Sequence, residues 1–200
     1  LDDPTEIVAR EAENGLRQFD FALQTIERSL IRQSPFFLDH DLLLELNRLA
    51  IEGIWRSAGQ LREKDICIRG SAHQPPRFQD IPAHLDQLLG HLREIVESDP
   101  IHQAAYVLWR LNWIHPFVDG NGRTSRVASY IVLSTRFGLT LPGSQTIPDQ
   151  IASEKARGKS NRYYQGLDLA DAAWKRGEID VSFLEGMISE MLQTQLKSAL

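Results

Sequence analysis

Only one cysteine, Cys67, occurs in this 200-residue chain. An internal disulfide framework is therefore excluded, as is a zinc site built on cysteines, and a reducing compartment fits. Long apolar runs are also missing: none approaches the ~20 residues of a membrane helix. Basic excess is lacking, with 22 Lys+Arg against 27 Asp+Glu and a net charge of −5. That balance argues against a nucleic-acid coat or a polybasic membrane binder, so neither partner is expected. The opening LDDPTEIVAR has no basic flank and no apolar stretch. No signal peptide is read there, and a cytoplasmic location is expected. The Gly-x4-Gly-Lys-Ser/Thr pattern of a P-loop NTPase is absent as well. What remains is 42% hydrophobic and 24% charged, enough apolar residue for one sizeable core.

The chain reads as a string of helices, and the expected class is mainly α. Asp3-Pro4-Thr5-Glu6 has the form of a helix start. Val8, Ala12, Leu16, Phe19, Leu23, Ile26 and Leu30 then recur at helical steps, which predicts one buried stripe. Ser34-Pro35 ends that helix, so residues 1–35 are read as an N-terminal helix and 36–200 as the core domain. A second helix is expected over 41–51. Leu85, Leu88, Leu89 and Leu92 mark a third. Asp99-Pro100 starts a fourth, apolar on most faces and so central. His115-Pro116 breaks it, and another helix runs from about 123 to 137 until Gly138. Two more are expected over 161–175 and 181–196. Residues 62–76 differ: Ile66-Cys67-Ile68-Arg69 is short and β-branched, and Gly70-Ser71 suits a tight turn. A small β-hairpin flap is expected there. Cys67 is read as a small apolar filler and His73 as a solvated loop residue.

Chemistry concentrates between His115 and Arg126. A loop with Gly120 and Gly122 feeds directly into a helix, an arrangement that aims backbone N–H groups and the helix dipole at an anion. Arg123 and Arg126 share a face of the first turn, where guanidinium forks suit phosphate oxygens. Asp119 at the rim offers a hard carboxylate for Mg2+ bridging two phosphates. His115 is the nearby group that titrates around neutral pH. Phe117 points inward to pin the loop. Each feature alone fits a turn, a cap or a solvated face. Their concentration within twelve residues points to phosphoryl or nucleotidyl chemistry on a magnesium nucleotide.

The run His115-Pro-Phe117-x-Asp119-Gly120-Asn121-Gly122-Arg123-x-x-Arg126 resembles the Fic family motif His-x-Phe-x-Asp/Glu-Gly-Asn-Gly-Arg-x-x-Arg at every specified position. The resemblance implies a Fic-type helical bundle with a hairpin flap beside the motif loop. It implies a protein adenylyltransferase, moving AMP from ATP to a Ser, Thr or Tyr hydroxyl of a target protein, with ATP as co-substrate and Mg2+. By position, His115 is the general base and Asp119 the metal ligand. Gly120, Asn121 (backbone and side chain) and Gly122 form the anion hole, and Arg123 and Arg126 hold the outer phosphates. The flap residues Ile66, Cys67, Ile68 and Arg69 dock the target. Asn161, Tyr163 and Tyr164 resemble a family segment lining the adenine pocket.

The family's inhibitory pattern, Ser/Thr-x-x-x-Glu-Gly/Asn, has two imperfect counterparts here. One ends in Glu13-Asn14 and the other in Glu52-Gly53. Glu13 is favoured, as an N-terminal inhibitory carboxylate on Arg126. Removal of AMP, another Fic-type transfer, and a non-catalytic nucleotide-binding module are the alternatives to adenylyl transfer. A homodimer and self-modification are further expectations.

Overall fold

The structure is a computed structural model and describes residues 3–32, 35–68, 71–156 and 161–200. Eight α-helices form among these residues: α1 (Pro4–Arg32), α2 (His40–Ile51), α3 (Ile81–Glu94), α4 (Pro100–Ile114), α5 (Asn121–Phe137), α6 (Ile147–Ala156), α7 (Arg162–Lys175) and α8 (Ser182–Lys197). Capping follows the local sequence. Asp39 caps α2 by accepting from the Leu42 amide, and Asp99 caps α4 by accepting from Ile101. Gly138 ends α5 in the left-handed conformation, at φ 70°. No helix among the described residues is long and apolar enough to cross a membrane.

The centre is the antiparallel pair α4 and α5. Ala104, Ala105, Leu108, Ala128 and Ile131 are fully buried along it, the small residues permitting close approach. α1 and α2 cover one side, α7 and α8 another. Helix α4 buries even Arg110, whose guanidinium lies 4.1 Å from the Trp113 ring centroid and 4.2 Å from that of Trp174. Stacking between two rings offsets part of the cost of removing the cation from water.

Two expectations fail in the fold. The stripe on α1 holds in its C-terminal half, where Ala22 and Ile26 are buried, but Val8 is 65% and Leu16 71% exposed. The buried residues of the N-terminal half are Asn14 and Gln18. They face the backbone carbonyls of the C-terminal half of α2 and of Glu52 just after it. Asn14 Nδ2 donates to Glu52 O (2.9 Å), and Gln18 Nε2 to Leu46 O (2.7 Å). A polar stripe is thus the fitting one.

The second failure is the β-hairpin flap. No strand forms among the described residues of 62–76; Arg69 and Gly70 lie outside them. Pro75 and Pro76 have no N–H for a ladder. The segment is fastened from outside instead. Phe78 N donates to Asp65 Oδ1 (2.8 Å), and Arg62 and His73 reach the end of α4. Ile66 and Ile68 are half-buried, whereas Cys67 is exposed and fills nothing. His73 is not solvated: its side chain is 10% exposed, with Nδ1 3.2 Å from Asp171 Oδ2 and Nε2 2.8 Å from Trp113 O.

Candidate active site

Helix α4 ends on His115, which caps it in the left-handed conformation at φ 50°, ψ 59°. It is the one non-glycine residue with positive φ among those described. Such a conformation is disfavoured for a residue with a Cβ and persists where surroundings enforce it. His115 Nδ1 lies 3.2 Å from the Asn112 carbonyl. The tautomer that donates from Nδ1 to that carbonyl is the one that leaves its basic lone pair on Nε2.

The loop then closes on itself. Asn121 Oδ1 accepts from Phe117 N (2.9 Å), and Asn121 Nδ2 donates to Phe117 O (2.8 Å). Phe117 is buried as expected. The Asn121 side chain, expected at the anion hole, is occupied by this closure. Its backbone remains at the start of α5 with Gly122. Gly120 has φ 78°, and a Cβ there would meet Ile51 Cγ2 at 2.8 Å and Asn47 Nδ2 at 2.9 Å. Asn47, fully buried on α2, donates to Asp119 O (2.9 Å) and accepts from Gly59 N (3.1 Å). Its polar side chain on a buried helix face was the available signal for this role.

Asp119 leaves its carboxylate 44% exposed, with Oδ2 accepting from Arg123 Nη2 (3.3 Å) and Trp55 Nε1 (3.1 Å). Arg123 Nη1 reaches Glu11 Oε1 at 3.0 Å. The second arginine is different. Arg126 is half-buried, and its Nη1 is out of solvent with no hydrogen-bond partner. Burial lowers its pKa from the ordinary arginine value. A guanidinium with a buried, unused donor has unspent capacity for an anion.

The expected pairing of Glu13 with Arg126 is not formed. Glu13 is exposed and bonds Arg10 on its own helix (2.9 Å), because the flank of α1 that turns toward α5 carries Glu11 instead. Glu52 is held by Arg17 and Arg48, and the Arg17 hydrogen bond in particular keeps its pKa below the usual carboxylate range. Asn161 caps α7 through Tyr164 N (2.9 Å), a structural role at the site expected to line adenine.

Two cavities flank the start of α5. A narrow cleft of about 110 Å³ is lined by His115, Gly122, Trp113, Tyr163, Tyr164 and Leu167, and also by Ile68 and Ser71. Tyr163 is 2% exposed and so belongs to the core as well as to this wall. A wider groove of about 330 Å³ is lined by Arg123, Arg126 and residues of α1 and α6. The base candidate and the arginines therefore face different hollows, and the glycine turn sits between them.

The Fic/DOC family model matches residues 37–133, a span that contains the whole of this loop. The chain belongs to the Fic/DOC family. It is 30% identical over 161 residues to the protein adenylyltransferase Fic of Drosophila persimilis, covering 79% of this chain and 28% of that one. The Nematostella vectensis protein of the same name is 32% identical over 124 residues, covering 60% and 28%. The chain thus spans less than a third of the length of these curated relatives. Among solved structures, a Fic domain-containing signaling protein from Bacteroides thetaiotaomicron superposes with a TM-score of 0.70 at 19% identity, covering 92% of this chain and 70% of that one. Fic-1 from C. elegans gives 0.67 at 21% identity, covering 92% and 49%. These likenesses carry the fold, and this Fic domain keeps the helical bundle.

Proposed function

We propose that this Fic domain is a protein adenylyltransferase that moves AMP from ATP to a Ser, Thr or Tyr hydroxyl of a target protein. The observation that carries the reading is the junction of α4 and α5. One turn presents a histidine whose Nδ1 lies 3.2 Å from the Asn112 carbonyl, and the next presents the start of a helix that carries two arginines. The names of the curated relatives point the same way.

In this reading the triphosphate lies across the glycine turn. Backbone N–H groups at Gly122 and its neighbours face its charge, and Arg126 supplies its unused donor to an outer phosphate. Arg123 exchanges Glu11 for phosphate oxygens. The target hydroxyl attacks the α-phosphorus while its proton passes to His115 Nε2. The bond from the α-phosphorus to the oxygen bridging to the β-phosphorus breaks, and pyrophosphate leaves. The adenine side occupies the cleft beside Tyr163 and Tyr164. That cleft is below the roughly 300 Å³ of ordinary ligand pockets, so in this reading Ile68, Ser71 and His73, which line it, give way to the nucleoside.

The donor set fits Mg2+. No group of three metal-ligating side chains exists among the described residues, and Mg2+ characteristically takes one or two carboxylates and completes its shell with waters and substrate phosphates. Asp119, partly exposed, is the residue that would hold it. The ion would neutralise phosphate charge.

The N-terminal helix enters through Glu11, which ATP must displace from Arg123. The test is labelling with α-labelled ATP, alone and with a cell lysate. Wild type is expected to label itself or a target. His115→Ala is expected to lose about 100- to 10,000-fold of the rate while ATP still binds. Undiminished labelling by that variant would refute the base assignment.

A further inference from the structure

The end of α4 raises a physical question that the motif alone does not answer: what holds His115 in a left-handed conformation. A helix terminus leaves its last carbonyls without internal partners. Here two of the carbonyls beyond it are taken by one residue. Arg62 Nε donates to His115 O at 2.9 Å, and the Arg62 backbone N–H donates to Pro116 O at 2.9 Å. The peptide carrying the imidazole is thus gripped on both sides of the Pro116 bond.

The same guanidinium also closes residues 62–76. Nη1 donates to Lys64 O (2.9 Å) and Nη2 to Pro76 O (2.5 Å). Its side chain is 1% exposed, and the one carboxylate in ion-pair range, Asp65, stands 3.8 Å away and is itself 63% exposed. The cation is therefore held mainly by carbonyl dipoles from three separate stretches of chain. Lysine has one ammonium where arginine has a planar fork, so it cannot reproduce this span. Hydrogen bonds of this kind, from a charged donor and out of water, are strong and directional.

We propose that Arg62 is a positioning residue for His115: it fixes the left-handed turn that aims the imidazole, and it ties that aim to the seating of residues 62–76 over the cleft. This rests on the reading of His115 as the proton acceptor. The consequence is mechanical. Anything that displaces residues 62–76, a docked target chain included, acts on the same guanidinium that holds the base.

The test compares wild type with Arg62→Lys and Arg62→Gln, after circular dichroism has shown that each is folded at the assay temperature. The rate of AMP transfer at saturating ATP is expected to fall about 100-fold, the effect of a roughly 1 Å misplacement, with the KM for ATP changed less than twofold. The second readout needs no turnover. In 15N-labelled protein the His115 imidazole nitrogens are expected to leave the Nδ1-protonated signature in both variants and keep it in wild type. A folded Arg62→Lys with full transfer and unmoved His115 signals overturns the proposal. So does a KM effect without loss of rate. Failure of both variants to fold overturns it too, because Arg62 would then be a plain core residue. Wild-type protein that never transfers AMP, yet shows the imidazole shift on mutation, would refute the adenylyltransferase reading and leave the positioning role standing.

Discussion

Two irregular segments face the same cleft, and they share one clamp, Arg62, but differ in how much local bonding each has besides. The turn between α4 and α5 has a local frame, in which Asn121 bonds both backbone groups of Phe117, four residues back, and Arg123 bonds Asp119, also four back; Asn47 and Arg62 brace it from outside. Residues 62–76 have the Arg62 bonds to Lys64 O and Pro76 O within them and are otherwise fastened to distant parts of the chain. Arg62 bonds His115, 53 positions away, and His73 bonds Trp113, 40 away. The first segment keeps a frame of short local bonds and suits a site that must be preorganised. The second keeps its place only while its clamps hold, which suits a cover that must move.

The sharpest way to break this contrast is to strain the locally framed turn. Gly120→Ala places a Cβ at a φ of 78°, against Ile51 and Asn47 at under 3 Å. Left-handed strain and overpacking together are expected to cost about 3 kcal/mol. Chemical denaturation reads the loss, and transfer should vanish with it. A cost below about 1 kcal/mol would mean that the turn yields and is no stiffer than its neighbour.

The same contrast explains what the amino-acid sequence reveals. Helix α4, its Asp99 cap, the break at Pro116 and the motif turn each have a signature within a few residues, and all are legible as patterns. Residues 62–76 look like a hairpin because Ile66, Ile68 and Gly70 carry β and turn preferences. The clamps on the end of α4, from Arg62 to His115 and from His73 to Trp113, span 53 and 40 positions, so a local pattern cannot show that the ladder is replaced. Glu11 and Glu13 present a finer version of the problem. Both are acidic residues on one turn of α1, and which one meets a motif arginine depends on the angle at which α1 crosses α5. The polar stripe of Asn14 and Gln18 is missed for a related reason: its partners are carbonyls of another helix.

A milder perturbation removes one clamp from the cover. Burial pulls the His73 pKa down, but hydrogen bonds to Asp171 and to the Trp113 carbonyl outweigh it, with Lys175 opposing weakly, and the net value is raised. Both ring nitrogens face acceptors, so the imidazolium is the form that fits. A group whose pKa is raised on folding gives its full stabilisation below the unfolded value of about 6.5 and loses it as pH rises through the folded value. His73→Gln is therefore expected to cost about 1 to 2 kcal/mol at pH 5.5 and progressively less toward pH 9. Proteolysis within residues 62–76 should quicken in the variant at acid pH and converge with wild type at alkaline pH. A difference that grows with pH would contradict the charged clamp.

The smallest effect tests whether the locally framed turn is truly independent of α1. Glu11 meets Arg123 at 3.0 Å, but the carboxylate is 42% exposed and the guanidinium 20%. Screening by solvent leaves such a pair worth about 0 to 1 kcal/mol. Glu11→Gln should leave the denaturation midpoint almost unchanged, since Asp119 still holds Arg123 from within the turn. It should also release Arg123 for phosphate and tighten ATP binding by at most about fivefold, the equivalent of that 1 kcal/mol. Titration calorimetry with ATP reads the second effect. A large stability loss would mean that the turn leans on α1 as residues 62–76 lean on α4. Weaker binding would mean that Glu11 orients Arg123 toward the nucleotide instead of withholding it.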